Sequence, residues 1–157
     1  MKRPWNLINL PVYSLATYGG EKVNMNICTY VSAISMNPKK YSVAVYENTR
    51  SLSNLESSEQ AVLQLLHSSQ FGLVKMLGHK SGNHFDKQNY LQQRDLLENW
   101  EGQAVLKNTS AKLLLKKSSR QKTGDHDLFI FDVLKYKSHS ADYLTMDILR
   151  QKKLIRI

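Results

Sequence analysis

A chain of 157 residues with 41% hydrophobic and 22% charged side chains is one domain's worth of globular protein, which excludes wholesale disorder. Its apolar runs stay short, far below the roughly 20 residues a membrane-spanning helix needs, and the basic start Met1–Asn6 lacks the apolar stretch of a secretory signal. Twenty-two Lys and Arg against thirteen Asp and Glu give +9, and twelve basic against five acidic residues place +7 of it in residues 104–157.

Residues 12–17 are rich in β formers, and Gly19-Gly20 predicts a turn after which Val23 restarts an extended run to Ser35, a hairpin signal. Asn37-Pro38 breaks that run, because proline pushes its predecessor away from helical geometry. Residues 41–46 alternate cleanly and predict a strand. Thr49 to Glu56 reads as a helix start, with Ser51 or Ser53 as N-cap. Residues 61–66 predict a buried strand, and Phe71 to Leu77 a short helix stopped by Gly78. Residues 89–100 are polar with scattered leucines and carry no assignment. Residues 104–116 and 128–136 predict two more strands, joined by a polar, basic hairpin loop over 118–124. Five or six short strands with a few short helices argue for a mainly β antiparallel barrel rather than a doubly wound fold. Neither a GxGxxG nor a GxxxxGK[ST] stretch occurs, so no Rossmann or P-loop cradle is expected.

Four stretches carry chemistry. Asn24 to Ser32 is a predicted strand edge dense in amides and hydroxyls, suited to a flat heteroaromatic with carbonyl and imide edges. The same alternation also suits a solvated sheet face. Glu47 to Ser53 joins a strand end to a helix N-terminus, where hydroxyls, Arg50 and free amides make a phosphate cradle; ordinary caps and a surface arginine read equally well. Gly78 to Lys87 is a tight loop in which Lys80 or Lys87 offers charge. Its histidines, His79 and His84, miss the metal-binding i, i+4 spacing. Gly124-Asp125-His126-Asp127 sets a histidine between two carboxylates at a strand start, where it is held in one orientation or belongs to a capped turn. The lone Cys28 cannot form an internal disulfide, and as a strand residue it reads as a small buried hydrophobe.

In their order these stretches resemble the flavin reductase-like proteins of the FMN-binding split-barrel group. Cys28-Thr29-Tyr30-Val31-Ser32-Ala33 ahead of Pro38 is similar to the family's small polar run before a proline. Residues 42–46 with 48–55 are similar to its second block, Ser81-Gly82-Asn83-His84-Phe85-Asp86-Lys87 to its third, and Gly124-Asp125-His126 to the family's GDH before a strand. The resemblance spans roughly residues 10 to 135. It implies an FMN-binding split β-barrel, a Greek-key antiparallel barrel with a few short helices, occupying the chain as a single domain.

By the same resemblance Asn26, Ile27, Cys28 and Thr29 would contact the flavin ring, Asn48, Arg50, Ser51 and Ser53 would surround the phosphate, and Lys87 would add charge. His126 would stand beside the flavin as the catalytic residue. The cofactor implied is FMN, with FAD possible and NAD(P)H as electron donor. The chain departs from the family at Asn83, where an arginine is usual, and in its basic ending, residues 141–157. Both departures bear on nicotinamide recognition. The expected activity is passage of electrons from NAD(P)H to flavin or an acceptor, in a cytoplasmic homodimer. Two alternatives stay open: a flavoredoxin-like electron carrier docking an acidic redox protein, and a barrel binding nucleic acid through its basic face. Nucleic acid is disfavoured, since the Lys and Arg are scattered with no basic helix and no RNA-binding aromatic signature.

Overall fold

Turn chemistry sets the first strands. The computed structural model describes residues 1–156, and in it β1 (Tyr13–Gly19) reverses at Gly20, whose φ of 62° suits glycine, into β2 (Lys22–Met25). β3 (Val31–Met36) and β4 (Lys39–Tyr46) pair across Asn37-Pro38, whose peptide bond is cis. Then come α1 (Arg50–Ser57) and β5 (Gln60–Leu65). A 3-10 turn (Ser68–Leu73), a π turn (Lys75–His79) and α2 (Lys87–Gln93) follow. β6 (Leu97–Trp100) and β7 (Gln103–Leu106) form a separate hairpin before the long strands β8 (Ala111–Lys122) and β9 (His126–Ser138), and α3 (Met146–Gln151) closes the order. No helix among the described residues is long and apolar enough to cross a membrane.

The main sheet has seven antiparallel strands in the order β2-β1-β5-β8-β9-β4-β3. Strand alternation divides the core in two. Leu15, Leu63 and Leu115 point inward with Val43, Val45, Phe129 and Phe131. Their neighbours Ala16, Val62 and Leu114 face the other way, against Leu91 of α2, Leu106 of β7 and Leu149 of α3. Gln64 ties the second layer together, accepting from the Leu106 amide at 2.6 Å and donating to the Met25 sulfur at 3.6 Å.

The two edge strands, β2 and β3, are not laddered to each other, so the barrel is split. Residues 26–30 stitch the gap. The Asn26 side-chain oxygen accepts from the Leu15 amide (2.8 Å), Cys28 exchanges both backbone bonds with Tyr13 (2.8 and 2.9 Å), and the Tyr30 carbonyl accepts from Ala44 of β4 (3.0 Å).

The structure bears out the mainly β split barrel and corrects several local expectations. The extended run from Val23 to Ser35 is interrupted by this loop, because its amides and carbonyls serve β1 and β4 instead of one partner strand. Thr49, not Ser51 or Ser53, caps α1; its hydroxyl accepts from the Leu52 amide. Gly78 does not stop a helix but lies within the π turn, packed so closely on Ile27 that a Cβ would meet it at 3.2 Å. The expected strand over 104–116 is two strands, β7 and β8, separated by a turn in which Asn108 has positive φ. The expected loop over 118–124 is mostly strand: β8 runs to Lys122 and pairs with Asp127, so cross-strand bonds override the polar composition. Residues 89–100 hold the end of α2 and all of β6. Of the basic C-terminal stretch, Ile157 lies outside the described residues.

Candidate functional site

The stitching loop forms one wall of a cleft of about 480 Å³, a size ordinary for a cofactor site. Asn26, Ile27, Cys28 and Thr29 line it, as do Asn48, Arg50 and Ser51 from the β4–α1 connection, His126 from the start of β9, and Lys87 from the opposite wall. The fold therefore brings together every expected site residue except Ser53. That serine is exposed on the next turn of α1 and faces a second cavity.

The β4–α1 connection is shaped by its own backbone. Asn48 has φ of 58°, a left-handed conformation asparagine tolerates, and Thr49 donates to the Tyr46 carbonyl while capping α1. The cap satisfies Leu52, leaving the Arg50 and Ser51 amides of the first turn without intrahelical acceptors. Ser51 is buried and accepts from the Asn24 side-chain amide at 3.1 Å. Arg50 is exposed, and among the described residues its guanidinium has no carboxylate within ion-pair distance. A cation, two free amides and a hydroxyl converge as an anion site would require.

Lys87 has different employment from the one expected. Its side chain is buried and its ammonium donates to the Met25 carbonyl (2.9 Å) and the Leu77 carbonyl (2.8 Å), tying β2 to the π turn. Burial lowers its pKa to about 8. Lys87 thus holds the cleft floor in shape, with two of its three N–H groups committed. Lys80 also reaches the cleft, and its ammonium stands 5.1 Å from the Phe85 ring centre.

Ser81-Gly82-Asn83 crosses between the walls. A Cβ on Gly82 would meet the Asn24 side-chain oxygen at 2.1 Å and the Arg50 Cβ at 2.9 Å, so only glycine lets the backbone come this near. Asn83, where the family has arginine, donates to the Asn48 carbonyl at 3.0 Å.

His126 stands at the cleft mouth. Its Nδ1 donates to the Asp125 carboxylate at 2.7 Å, which orients the ring and leaves Nε2 unengaged by that pair. The expected second carboxylate does not reach it. Strand alternation turns Asp127 inward, where it is buried and accepts from Arg120 at 2.6 Å; Arg120 also pairs with Glu56 at 3.1 Å. Tyr30 and Tyr46 flank the imidazole instead, with ring centres 5.2 and 5.1 Å away and exposures of 60% and 52%. Local sequence does not announce this bracket, because Tyr46 meets His126 only through the β4–β9 register.

Burial pushes the Cys28 thiol up to about 12, so it stays protonated and is no nucleophile at neutral pH. Among the described residues no group of three or more His, Cys, Asp and Glu is placed to hold a metal ion.

Residues 5–151 match the family model of the flavin reductase like domain. Solved structures repeat the fold. The FMN-binding protein from Thermus thermophilus with bound 1-cyclohex-2-enone superposes with a TM-score of 0.77 at 19% identity, covering 88% of this chain and 75% of that one. A flavoredoxin from Methanosarcina acetivorans gives 0.76 at 17% identity, covering 89% and 75%. The flavin reductase PheA2 in its native state gives 0.75 at 21%, covering 92% and 93%. No curated protein sequence matches the chain.

Proposed function

Because the chain belongs to the flavin reductase like domain family, we propose that its cleft binds a flavin and that the protein passes electrons from NAD(P)H through it to free flavin or another acceptor. The observation that carries this reading is the convergence, in one cavity, of a loop rich in backbone groups, an arginine at a capped helix start with no carboxylate partner among the described residues, and an oriented histidine. A bound flavin supplies the hydride and electron chemistry; the protein's part is binding, orientation and electrostatics.

Arg50, the free amides of the first turn of α1 and Ser51 hold the phosphate, with Asn48 beside them. Asn26 to Thr29 present main chain to the ring, and the pairing of Cys28 with Tyr13 keeps that main chain from shifting. His126, fixed through Asp125, presents Nε2 to the ring system, and in the imidazolium form, where both ring nitrogens carry protons, Nε2 meets negative charge there as a donor. Tyr30 and Tyr46 restrict water at the mouth and give a planar donor a surface to stack on. The chain acts as a homodimer in this reading, a second copy covering the open cleft beside the exposed Tyr30, Ile34 and Met36. A cytoplasmic setting suits a nicotinamide donor.

One observation favours a second reading, a flavoredoxin-like carrier fed by an acidic redox protein. Asn83 replaces a cation and is engaged with the Asn48 carbonyl, so it offers no charge to a nicotinamide phosphate. A steady-state assay separates the two. Protein reconstituted with FMN should show visible flavin absorbance and oxidise NADH or NADPH when free flavin is added. Flavin uptake without nicotinamide oxidation selects the carrier, and protein that takes up no flavin rejects both. Sedimentation at micromolar concentration tests the dimer.

A further inference from the structure

Beyond Asp132 the sheet loses a strand. β4 pairs with β9 only as far as Lys40, opposite Asp132, because β4 begins there out of its turn from β3. β8 continues beside β9 to Ser138. Residues 133–138 are therefore laddered on one side, and among the described residues no strand flanks the other. From Leu134 to Ser138 every residue is exposed, Leu134 at 45% and Tyr136 at 77%. A groove of about 690 Å³ runs along this edge, closed by Lys39 at the start of β4 and by Trp100 and Glu101 at the β6–β7 turn. An open strand edge is a template for another chain. We propose that this one docks an extended acidic segment of a partner protein, which adds to the sheet as a further strand.

Charge and alternation select the occupant. Lys135 and Lys137 share one face of β9 and Tyr136 takes the other, while Leu134 is the extra residue where the register shifts between Leu114 and Leu115. Of the lysines at this end of the barrel, Lys40 pairs with Asp132, Lys112 with Glu98 and Lys135 with Glu101. Lys39 and Lys137 have no carboxylate within ion-pair distance among the described residues, so two positive charges stand unopposed. A second copy of the same edge would bring lysines against lysines, which cross-strand pairing disfavours. Nucleic acid would satisfy the lysines but cannot complete a peptide ladder. An acidic strand does both: its main chain fills the open edge, alternate carboxylates meet Lys135 and Lys137, and the residues between them cover Tyr136. β9 starts at His126 in the cleft, and Lys135 is nine residues further on. At about 3.3 Å per residue the docked segment lies about 30 Å from the cleft mouth, so it tethers a partner without covering the cleft. The proposal is independent of what the cleft binds.

Fluorescence polarisation on the full chain tests it, with a labelled hexapeptide of alternating glutamate and valine as the probe. Three controls accompany it: the lysine–valine counterpart, the acidic peptide N-methylated throughout, and a single-stranded DNA hexamer. The acidic peptide should bind saturably and at least tenfold more tightly than any control. Lys135→Gln combined with Lys137→Gln, both at exposed positions, should weaken it about tenfold and shift the melting temperature by only a few degrees. Hydrogen exchange should slow at the free-edge amides of residues 133–138 on adding the peptide and stay unchanged at residues 26–30. An acidic peptide that does not bind, or that binds the double variant as tightly as the wild type, overturns the proposal. So does equal binding of the N-methylated peptide, the lysine–valine peptide or the DNA, which leaves a sticky surface without strand pairing. It also falls if the free-edge amides are protected in the protein alone and lose that protection on dilution, since a second copy then fills the edge.

Discussion

The two walls of the cleft are built on different terms. The wall formed by residues 26–30 and the end of β4 is held by main chain: Cys28 to Tyr13 in both directions, and the Tyr30 carbonyl to Ala44. These bonds are indifferent to most side-chain changes. The facing wall, from Leu77 to Lys87, has no ladder, and hangs on one buried ammonium, two close glycines, one asparagine and the Lys22–Asp86 pair. A wall of the first kind tolerates substitution; the second kind concentrates its stability and its shape in single residues. Substitutions on the second wall should therefore have the larger effects.

The largest should come from Lys87→Met, which keeps the volume and removes the donor. Two buried carbonyls lose their partner at about 1–3 kcal/mol each, offset in part by relief of the buried amine. A net loss of about 2 kcal/mol at pH 7 is expected in urea denaturation. The pH dependence sharpens this. The Lys87 pKa falls from 10.5 to about 8 on folding, so between those values the unfolded chain binds more protons than the folded one. Wild-type stability should then rise with pH across that window relative to the mutant, by at most about 1.4 kcal/mol per pH unit. Below pH 8 both states are protonated and the difference should be flat. The neutral amine keeps two N–H groups, enough for both carbonyls. A mutant tracking the wild type from pH 7 to 10 would remove Lys87 from this role.

Arg50→Ala should come next, on ligand affinity rather than on folding. A charge-assisted bond to phosphate is worth about 1.5–3 kcal/mol, so FMN affinity should drop by roughly one to two orders of magnitude. Riboflavin, lacking the phosphate, should lose little; an equal loss for both would sink the phosphate assignment. Gly82→Ala tests the facing wall directly. Its Cβ forces Asn24 or the Ser81-Gly82-Asn83 segment to move, and flavin affinity should fall by about tenfold, whichever flavin is used. Gly124→Ala, where a Cβ meets nothing within 4 Å, should leave affinity unchanged and serves as the comparison.

The same contrast explains what was legible in the sequence. The β4–α1 connection is legible as a strand end running into a helix with a cation within a few residues, although the cap falls on Thr49 rather than on Ser51 or Ser53. The loop at Asn26 to Thr29 was readable as a site but not as a loop. Its composition matches a strand, and only pairing with two non-adjacent strands breaks it. Lys87 reads in the sequence as a charge offered to the phosphate, because nothing local shows that the Met25 and Leu77 carbonyls converge on it. Asp127 failed as a partner for His126 for a similar reason: Arg120, seven residues earlier on β8, claims it across the hairpin. Long-range partners decide such residues, and a local window contains none of them.

The smallest expected effect, and the one that most sharpens the comparison, concerns His126. It belongs to the wall held by main chain, since β9 pairs with Tyr46 through its backbone, so its side chain carries little of the fold. His126→Ala removes the ring that meets Tyr30 tilted and Tyr46 edge-on, and the bond to Asp125, all at a partly exposed position. Stability should change by about 1 kcal/mol or less, as for other partly exposed polar contacts. If Nε2 faces developing negative charge on the flavin, stopped-flow reduction of flavin-loaded protein by NADH should slow several-fold. His126→Gln, which retains a donor, should recover part of the rate. A structural turn histidine predicts the opposite pattern: a lowered melting temperature with unchanged turnover per bound flavin. Wild-type rates from pH 6 to 9 in His126→Ala would take the imidazole out of the chemistry and leave the cleft mouth to the two tyrosines alone.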